Sequence, residues 1–463
     1  MSIQNSYLFY DIETSGLNSC FDQIVQFAAV RTDLNLQELE HHEIFIKLNP
    51  DVTPSPGAFL THGIDLDWLQ SNGYCEYEAV RKIHELCNVP GTITIGYNNL
   101  GFDDEFLRFA FYRNLLDPYS HQYAQGCCRM DLYPMVVIYY LFKSDILLWP
   151  KINQIPTLKL ECLNKANGLL TGKAHDAKHD VLVSLALARK LYEVREVWNY
   201  LRLCFDKTKD AEKLRGYGEG LLIEGNMGAA RLYQTIAICL GKHYHYKNQS
   251  LWLPLDQFSL AEVTDDNFIE NTFVIRKRFG EPPILLPLEN RLCRHLIKER
   301  LELAQANRSW LQANQELFLT IANYYREYQY PKIPDLDIDA ALYQNGFLSD
   351  RDRLECSNFH LAVIGDKVAM LEQFSNVDLQ SQALRILGRN YPECLIEYEQ
   401  LHREFKEHLL KFASSDNVVD YKNGQRFNKN MVSMEMEKLR RDRVLSGQDM
   451  KLLDKLVRYS NFQ

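Results

Sequence analysis

Asp11 and Glu13, Asp103, and His175 with Asp180 are the residues of this 463-residue chain whose types and order could do chemistry. Carboxylates are costly to desolvate unless a cation joins them, so carboxylates gathered at one site imply a bound divalent metal. Two such ions roughly 3.5–4 Å apart can activate a water, orient a phosphate and stabilise the leaving oxygen of an in-line displacement. An imidazole, with an ordinary pKa near ~6.5, can then accept the proton of the water at neutral pH. The set suits metal-dependent cleavage of a phosphodiester.

These groups are far apart in the chain, and only a fold could bring them together. Asp11 and Glu13 follow Tyr7-Leu8-Phe9-Tyr10, which reads as a buried strand, and precede the turn signal Thr14-Ser15-Gly16. As alternate residues they share one face of that strand. Asp103 stands between a β-branched strand leading into an Asn and Gly turn, Ile93 to Asn99, and the helix-like run Glu105 to Asn114. Asp180 opens the apolar run Val181 to Ala188, which suits a buried helix. His175 precedes Asp180 by five residues, on a loop. His179 is a second titratable imidazole; it lies on the helical side of the segment and is expected to face solvent.

Asp11-Ile12-Glu13-Thr14, Asn98-Asn99-Leu100-Gly101-Phe102-Asp103 and His175-Asp176-Ala177-Lys178-His179-Asp180 resemble the three motifs of the DEDD exonucleases. His five residues before the last Asp marks the His-type (DEDDh); Asp176 fills the slot where the Tyr-type carries Tyr. Further stretches are similar to the bacterial exonuclease I family, among them Gln26 to Asp33, Asp117-Pro118-Tyr119, Ala341 to Asp350 and Arg389-Asn390-Tyr391-Pro392. The resemblance covers nearly the whole chain. It implies an α/β ribonuclease H-like exonuclease domain, an SH3-like β-containing domain and an α-helical C-terminal domain. It also implies an enzyme that degrades single-stranded DNA in the 3′-to-5′ direction and releases 5′-mononucleotides, with a role in DNA repair and recombination.

On this resemblance Asp11, Glu13, Asp103 and Asp180 hold two Mg²⁺ ions, for which Mn²⁺ can substitute, and His175 is the general base. Glu13 also approaches the 3′ nucleotide. Asp104, next to the ligand position, is left as a cap of the following helix. Arg108, Tyr119 and Tyr123 align with positions that touch the strand. Lys159 stands where the family carries Arg; it keeps the charge but loses the bidentate fork. A further family Arg aligns near Val137, so that contact is absent. The implied partners are single-stranded DNA and the acidic C-terminal tail of single-stranded DNA-binding protein, with the enzyme acting as a monomer.

The net charge of -9 does not by itself suggest a nucleic-acid binder, although Arg276-Lys277-Arg278 and Arg291 to Arg300 are locally basic. The eleven cysteines have neither zinc-site nor disulfide spacing. Met1 to Ser6 lack the blocks of a signal peptide, and no apolar run reaches the roughly 18 residues of a membrane span. A reduced, cytoplasmic setting with no membrane partner follows.

The alternation of strands and helices covers residues 1–198, and a polar, glycine-rich stretch from Asp206 to Glu219 follows it. A strand-rich unit over 199–333 contains a hairpin, Thr235 to Leu240 with Ser250 to Leu253, and then helical composition. Prolines at 331 and 334 introduce a helical unit over 334–463, in which Leu395, Tyr398, Leu401, Phe405, Leu409 and Phe412 form one stripe on a long helix starting near Pro392. Two other functions fit the same motifs: a 3′-to-5′ exoribonuclease on short RNA, and a catalytically silent module that recruits replication proteins.

Overall fold

β1 (Ser6–Thr14) is the middle strand of the first sheet, and it carries Asp11 and Glu13 near its end. The chain is described from a computed structural model over residues 5–172, 176–414 and 417–462. β1 is joined by β2 (Ile24–Thr32), β3 (Glu38–Phe45), β4 (Thr92–Gly96) and β5 (Cys128–Asp131) in the order β3-β2-β1-β4-β5. The first three strands form an antiparallel meander, while β4 and β5 run parallel to β1. Every residue of β2 and of β4 is buried, as expected where helices cover both faces of a sheet. Helices Glu76–Cys87 and Asp103–Arg113 pack Ile83, Phe106 and Ala110 onto Leu8 and Tyr10. On the other face the helix Ala177–Tyr192 packs Val181 and Leu185 against Tyr7 and Phe9.

A two-residue hairpin, β6 (Lys151–Ile152) with β7 (Ile155–Pro156), precedes four helices, after which comes the second sheet. That sheet contains β8 (Glu219–Ile223), β9 (Gln234–Lys242), β10 (Gln249–Pro254), β11 (Ile275–Arg278) and β12 (Ile284–Leu286), antiparallel throughout in the order β11-β10-β9-β8-β12. The hairpin read from the sequence is β9–β10. Alternation along β11 buries Lys277 against Asp210 at 2.5 Å and turns Arg276 and Arg278 to the opposite face. Helices Lys298–Ala313 and Gln315–Glu327 fold back so that Leu311 and Ile321 join the core of this sheet.

The remaining chain is mainly helical, and its long apolar stripe is divided where one helix was expected. Pro392–Leu395 form a 3₁₀ turn, and the α-helix spans only Glu399–Ser414. The Ile396 and Tyr398 amides donate three residues back, to Glu393 and Leu395, so the turn stays tight and does not widen into an α-helix. Leu395, Phe405 and Phe412 are buried, whereas Tyr398 is 46% exposed.

Two helices, Lys429–Asp442 and Gly447–Phe462, lie on the first layer through Val432, Met436, Leu453 and Leu456, packed on Phe59 and Leu69. The strongest polar tie between the layers is Arg389, whose Nη2 reaches Asp51 at 2.6 Å and Asp339 at 2.5 Å, with His408 Nε2 2.8 Å from Asp51. Asp51, Asp339 and His408 are spaced like metal ligands, but the Arg389 guanidinium already supplies the positive charge. Burial would raise Asp51; Arg389 and His408 outweigh it and hold the carboxyl well below its ordinary range. This contribution is present above pH ~4 and is lost on acidification. Arg389→Met leaves buried Asp51 with His408 as its remaining partner and Asp339 with Arg385, and is expected to cost roughly 3–5 kcal/mol at neutral pH, measured by denaturant melts.

Candidate active site

β4 pairs with β1 only as far as Phe9 opposite Ile95, so the last residues of β1 project beyond the parallel ladder. On its other side β1 stays paired with β2, with Asp11 opposite Ala28 and Glu13 opposite Gln26. Asp11 and Glu13 therefore stand two residues apart on one face of a strand that is fixed from one side only. The free Ile12 amide donates to Asp103 Oδ1 at 3.3 Å, so the third carboxylate is fastened to the strand between the first two.

A sharp turn makes that bond possible. Gly96 is so close to its neighbours that an added Cβ would lie 2.8 Å from the Tyr10 carbonyl oxygen and from Asn99 Cβ. Asn98 takes a left-handed conformation, φ 62°, which Asn tolerates better than most residues. Asp131, at the end of β5, accepts from the Asn98 amide at 2.8 Å and the Leu100 amide at 3.4 Å, and so holds the turn that starts the helix of Asp103. Sequence reading passed over Asp131; its position just before the apolar run Leu132 to Leu141 was the available signal, since it also caps that helix through the Tyr133 amide at 2.8 Å.

Asp104 is not the helix cap, a place taken by Phe102. Its carboxylate is fully buried and meets Arg129 at 2.5 Å, Arg108 at 2.8 Å and His121 at 3.0 Å. Burial opposes its charge, but the two guanidiniums pull it far below the carboxylate range. Its place beside the ligand position suggested a cap; Arg108 one helical turn on, with His121 and Arg129 from farther along the chain, bury it in an ion network instead.

Asp180 lies in the first turn of Ala177–Tyr192, and Asp176 is the cap, accepting from the Lys178 amide at 3.0 Å. Ligand atoms of Asp11, Glu13 and Asp180 all lie within 4.8 Å of one another. His175 falls outside the described residues. His179 is half-buried, not turned fully to solvent.

A cavity of about 2650 Å³ opens between the two sheets and the C-terminal helices, and Arg108, Tyr119 and Tyr123 line it. Arg108 is already engaged: besides Asp104 it reaches Glu105 at 3.0 Å and the Tyr343 hydroxyl at 3.2 Å. Tyr119 is half-buried and Tyr123 is 63% exposed. Lys159 is exposed at the start of the helix Leu160–Asn167 and is not part of the cavity wall. Val137 is fully buried, so no phosphate contact arises there.

The acidic cluster is electrostatically incomplete. Burial, with the charges of Asp180 and Asp176, pushes Glu13 up to about 8. Burial raises Asp11 well above its ordinary value, and Asp103, Glu13 and Asp180 add to the effect; Asp103 is raised mainly by burial. Among hard oxygen donors this is the environment that a divalent cation relieves, so the residues fit a metal. For the metal-free protein the sign is definite: a raised acid favours folding below its ordinary pKa of about 4.5 and loses that contribution as pH rises through about 8. Glu13→Gln should therefore melt above wild type at pH 9 without metal, by at least about 1 °C, the shift given by roughly 1 kcal/mol in a chain of this length. The gap should close near pH 4 and reverse with saturating Mg²⁺, both read by calorimetry.

The family model described as an exonuclease matches residues 8–188, and that of the exonuclease I C-terminal domain matches residues 336–462. Exodeoxyribonuclease I of Escherichia coli strain K12 is 31% identical over 445 residues, 90% of this chain and 92% of the relative. Exonuclease I from Methylocaldum szegediense superposes with a TM-score of 0.87 at 26% identity, covering 99% of each chain. The zinc-ion-bound form of an E. coli ExoI–ssDNA complex superposes with a TM-score of 0.86 at 25% identity, again over 99% of each. The strand order of the first sheet and the helical C-terminal layer agree with the ribonuclease H-like and exonuclease I architecture read from the motifs. The chain belongs to the exonuclease I family.

Proposed function

We propose that this chain is an exodeoxyribonuclease that shortens single-stranded DNA from its 3′ end and releases 5′-mononucleotides, acting in DNA repair and recombination. The observation that carries the reading is the meeting of Asp11, Glu13 and Asp180 within 4.8 Å, with Asp103 bonded to the strand between the first two, in a member of this family. The site uses divalent metal, in keeping with its donor set and with the zinc-bound relative. Two Mg²⁺ ions, replaceable by Mn²⁺, are the finer reading.

Asp11, Glu13, Asp103 and Asp180 would hold the ions, which supply Lewis-acid stabilisation of charge on the phosphate and leaving oxygen. The residues do the rest. Glu13, at the outer end of β1, would meet the 3′ nucleotide as well as a metal. His175, whose role rests on its spacing to Asp180, takes the proton of the attacking water. Asp103 is oriented by the Ile12 amide, and the rigid turn behind it limits its reorganisation. Arg108, Tyr119, Tyr123 and Lys159 are proposed strand contacts, the aromatic pair offering faces to unpaired bases.

The fuller reading is a monomeric cytoplasmic enzyme of three units, 1–198, 199–333 and 334–463, that also binds the C-terminal tail of single-stranded DNA-binding protein. No described helix is long and apolar enough to cross a membrane. The two sheets fall in the first two units and the matched C-terminal model in the third, which supports these bounds.

A 5′-labelled DNA oligomer with Mg²⁺ should give a ladder shortened stepwise from the 3′ end. That ladder should be absent with excess chelator and reduced at least about 10³-fold by Asp180→Ala. Faster degradation of a matched RNA would favour the exoribonuclease, and binding without cleavage would favour the recruitment module. DNA affinity should fall steeply with salt, by roughly 0.7 log units per log unit of salt for each phosphate neutralised. Pull-down by an intact tail peptide, and not by one lacking the tail residues, tests the partner.

A further inference from the structure

Phe347 is 87% exposed at the apex of a loop that is otherwise firmly held. On one side the Gln344 side chain exchanges two hydrogen bonds with the Ile333 backbone, at 2.6 and 3.1 Å, and Asn345 Nδ2 donates to the Tyr112 hydroxyl at 3.1 Å. On the other, Ser349 and Asp352 form a reciprocal capping box at the start of the helix Asp350–Leu361. The backbone is fixed, yet the phenyl ring is left in water. Single exposed apolar side chains are common and usually mean nothing. This one differs in where it points: it lines the large cavity from the C-terminal side, and across from it the Tyr119 ring lies 6.1 Å away at 69°. The edge contact fixes the orientation of the phenyl while most of its surface stays open. Tyr123, also on this wall, is 63% exposed.

We propose that Phe347 is a stacking platform for one unpaired nucleobase of the DNA strand, completing with Tyr119 and Tyr123 an aromatic site shared by the nuclease layer and the C-terminal layer. The inference rests on the exonuclease reading above. Charge selects the occupant: Arg278 and Arg353 line the same cavity, each loosely paired at 3.6 Å, with Glu281 and Asp350, and still largely exposed, so an apolar peptide lying there would desolvate them with no new partner, whereas a nucleic acid strand presents phosphates to the cations and base faces to the rings. Bases within a duplex have both faces covered by neighbours, so the platform accepts single strands only.

The test uses an oligothymidylate about 16 nucleotides long and a set in which a single abasic residue is walked along it from the 3′ end. Phe347→Ala and Phe347→Leu should raise KM for the intact oligomer roughly 5- to 150-fold, the range given by losing one stacked base, while Phe347→Trp keeps it near wild type. The penalty should vanish on the one oligomer whose missing base is the partner of Phe347, because the two losses then remove the same contact. Thermal melts exclude misfolding, which an exposed ring should not cause. The same oligomers are titrated by fluorescence anisotropy in the Asp180→Asn background, where the strand is not consumed. Wild type that binds but never shortens the oligomer sinks the exonuclease reading while the anisotropy series still decides on Phe347. Equal affinities for wild type and Phe347→Ala, or a penalty that persists at every abasic position, overturn the proposal.

Discussion

Mutual repulsion among carboxylates at the end of β1 is the constraint around which the first layer is built. Left to relax, Asp11, Glu13 and Asp180 would move apart into solvent; the fold holds them together instead, and burial, with the neighbouring carboxylates adding to it, raises Asp11 and Glu13 above their ordinary range. Prevention comes from rigid elements: a central strand paired on its far side to β2, a helix packed on that strand, and a turn anchored by Asp131. Preorganised like charges of this kind are unfavourable in the free protein and become favourable only when cations arrive, which ties stability to function at this site.

Elsewhere the same chemistry is arranged in the opposite sense. Asp104, one residue from Asp103, is as deeply buried, yet Arg108, Arg129 and His121 surround it and its charge is strongly favoured. Arg129 continues to Glu281 at 2.7 Å, so this network joins the nuclease layer to the second sheet. Burial would raise Glu281, and the guanidiniums of Arg129 and Arg108 hold it at about 2. Arg389 performs the equivalent task toward the C-terminal helices. Two adjacent aspartates thus differ in role because one is given cations by the protein and the other is not.

An acidic chain can still bind a polyanion if its charges are segregated. The overall -9 describes the whole surface, whereas Arg276 and Arg278 are directed to the cavity by strand alternation while Lys277 between them is turned inward. A basic tripeptide in the sequence therefore contributes two cations to the cavity, and the third is spent inside the second sheet. Which residues of a run face which way depends on pairing register, and that is set by partners distant in sequence.

By itself the sequence determined the chemistry and the local elements: three acidic motifs in order, the buried strand that carries Asp11 and Glu13, and the β9–β10 hairpin, all written in side-chain types and short-range periodicity. The His-type subclass is what the family resemblance implies from the five-residue spacing of His175 before Asp180, and His175 itself lies outside the described residues. Tertiary structure decided what local pattern could not. It placed Asp104 in a buried ion network and not at a cap, split the stripe between Leu395 and Phe412, and made Asp131 the support of the Asp103 turn. It also left Phe347 exposed in a cavity shared between layers. The reason is physical: periodicity and propensity act over a few residues, whereas burial, charge compensation and cavity walls are set by contacts between segments hundreds of residues apart, such as Arg389 with Asp51.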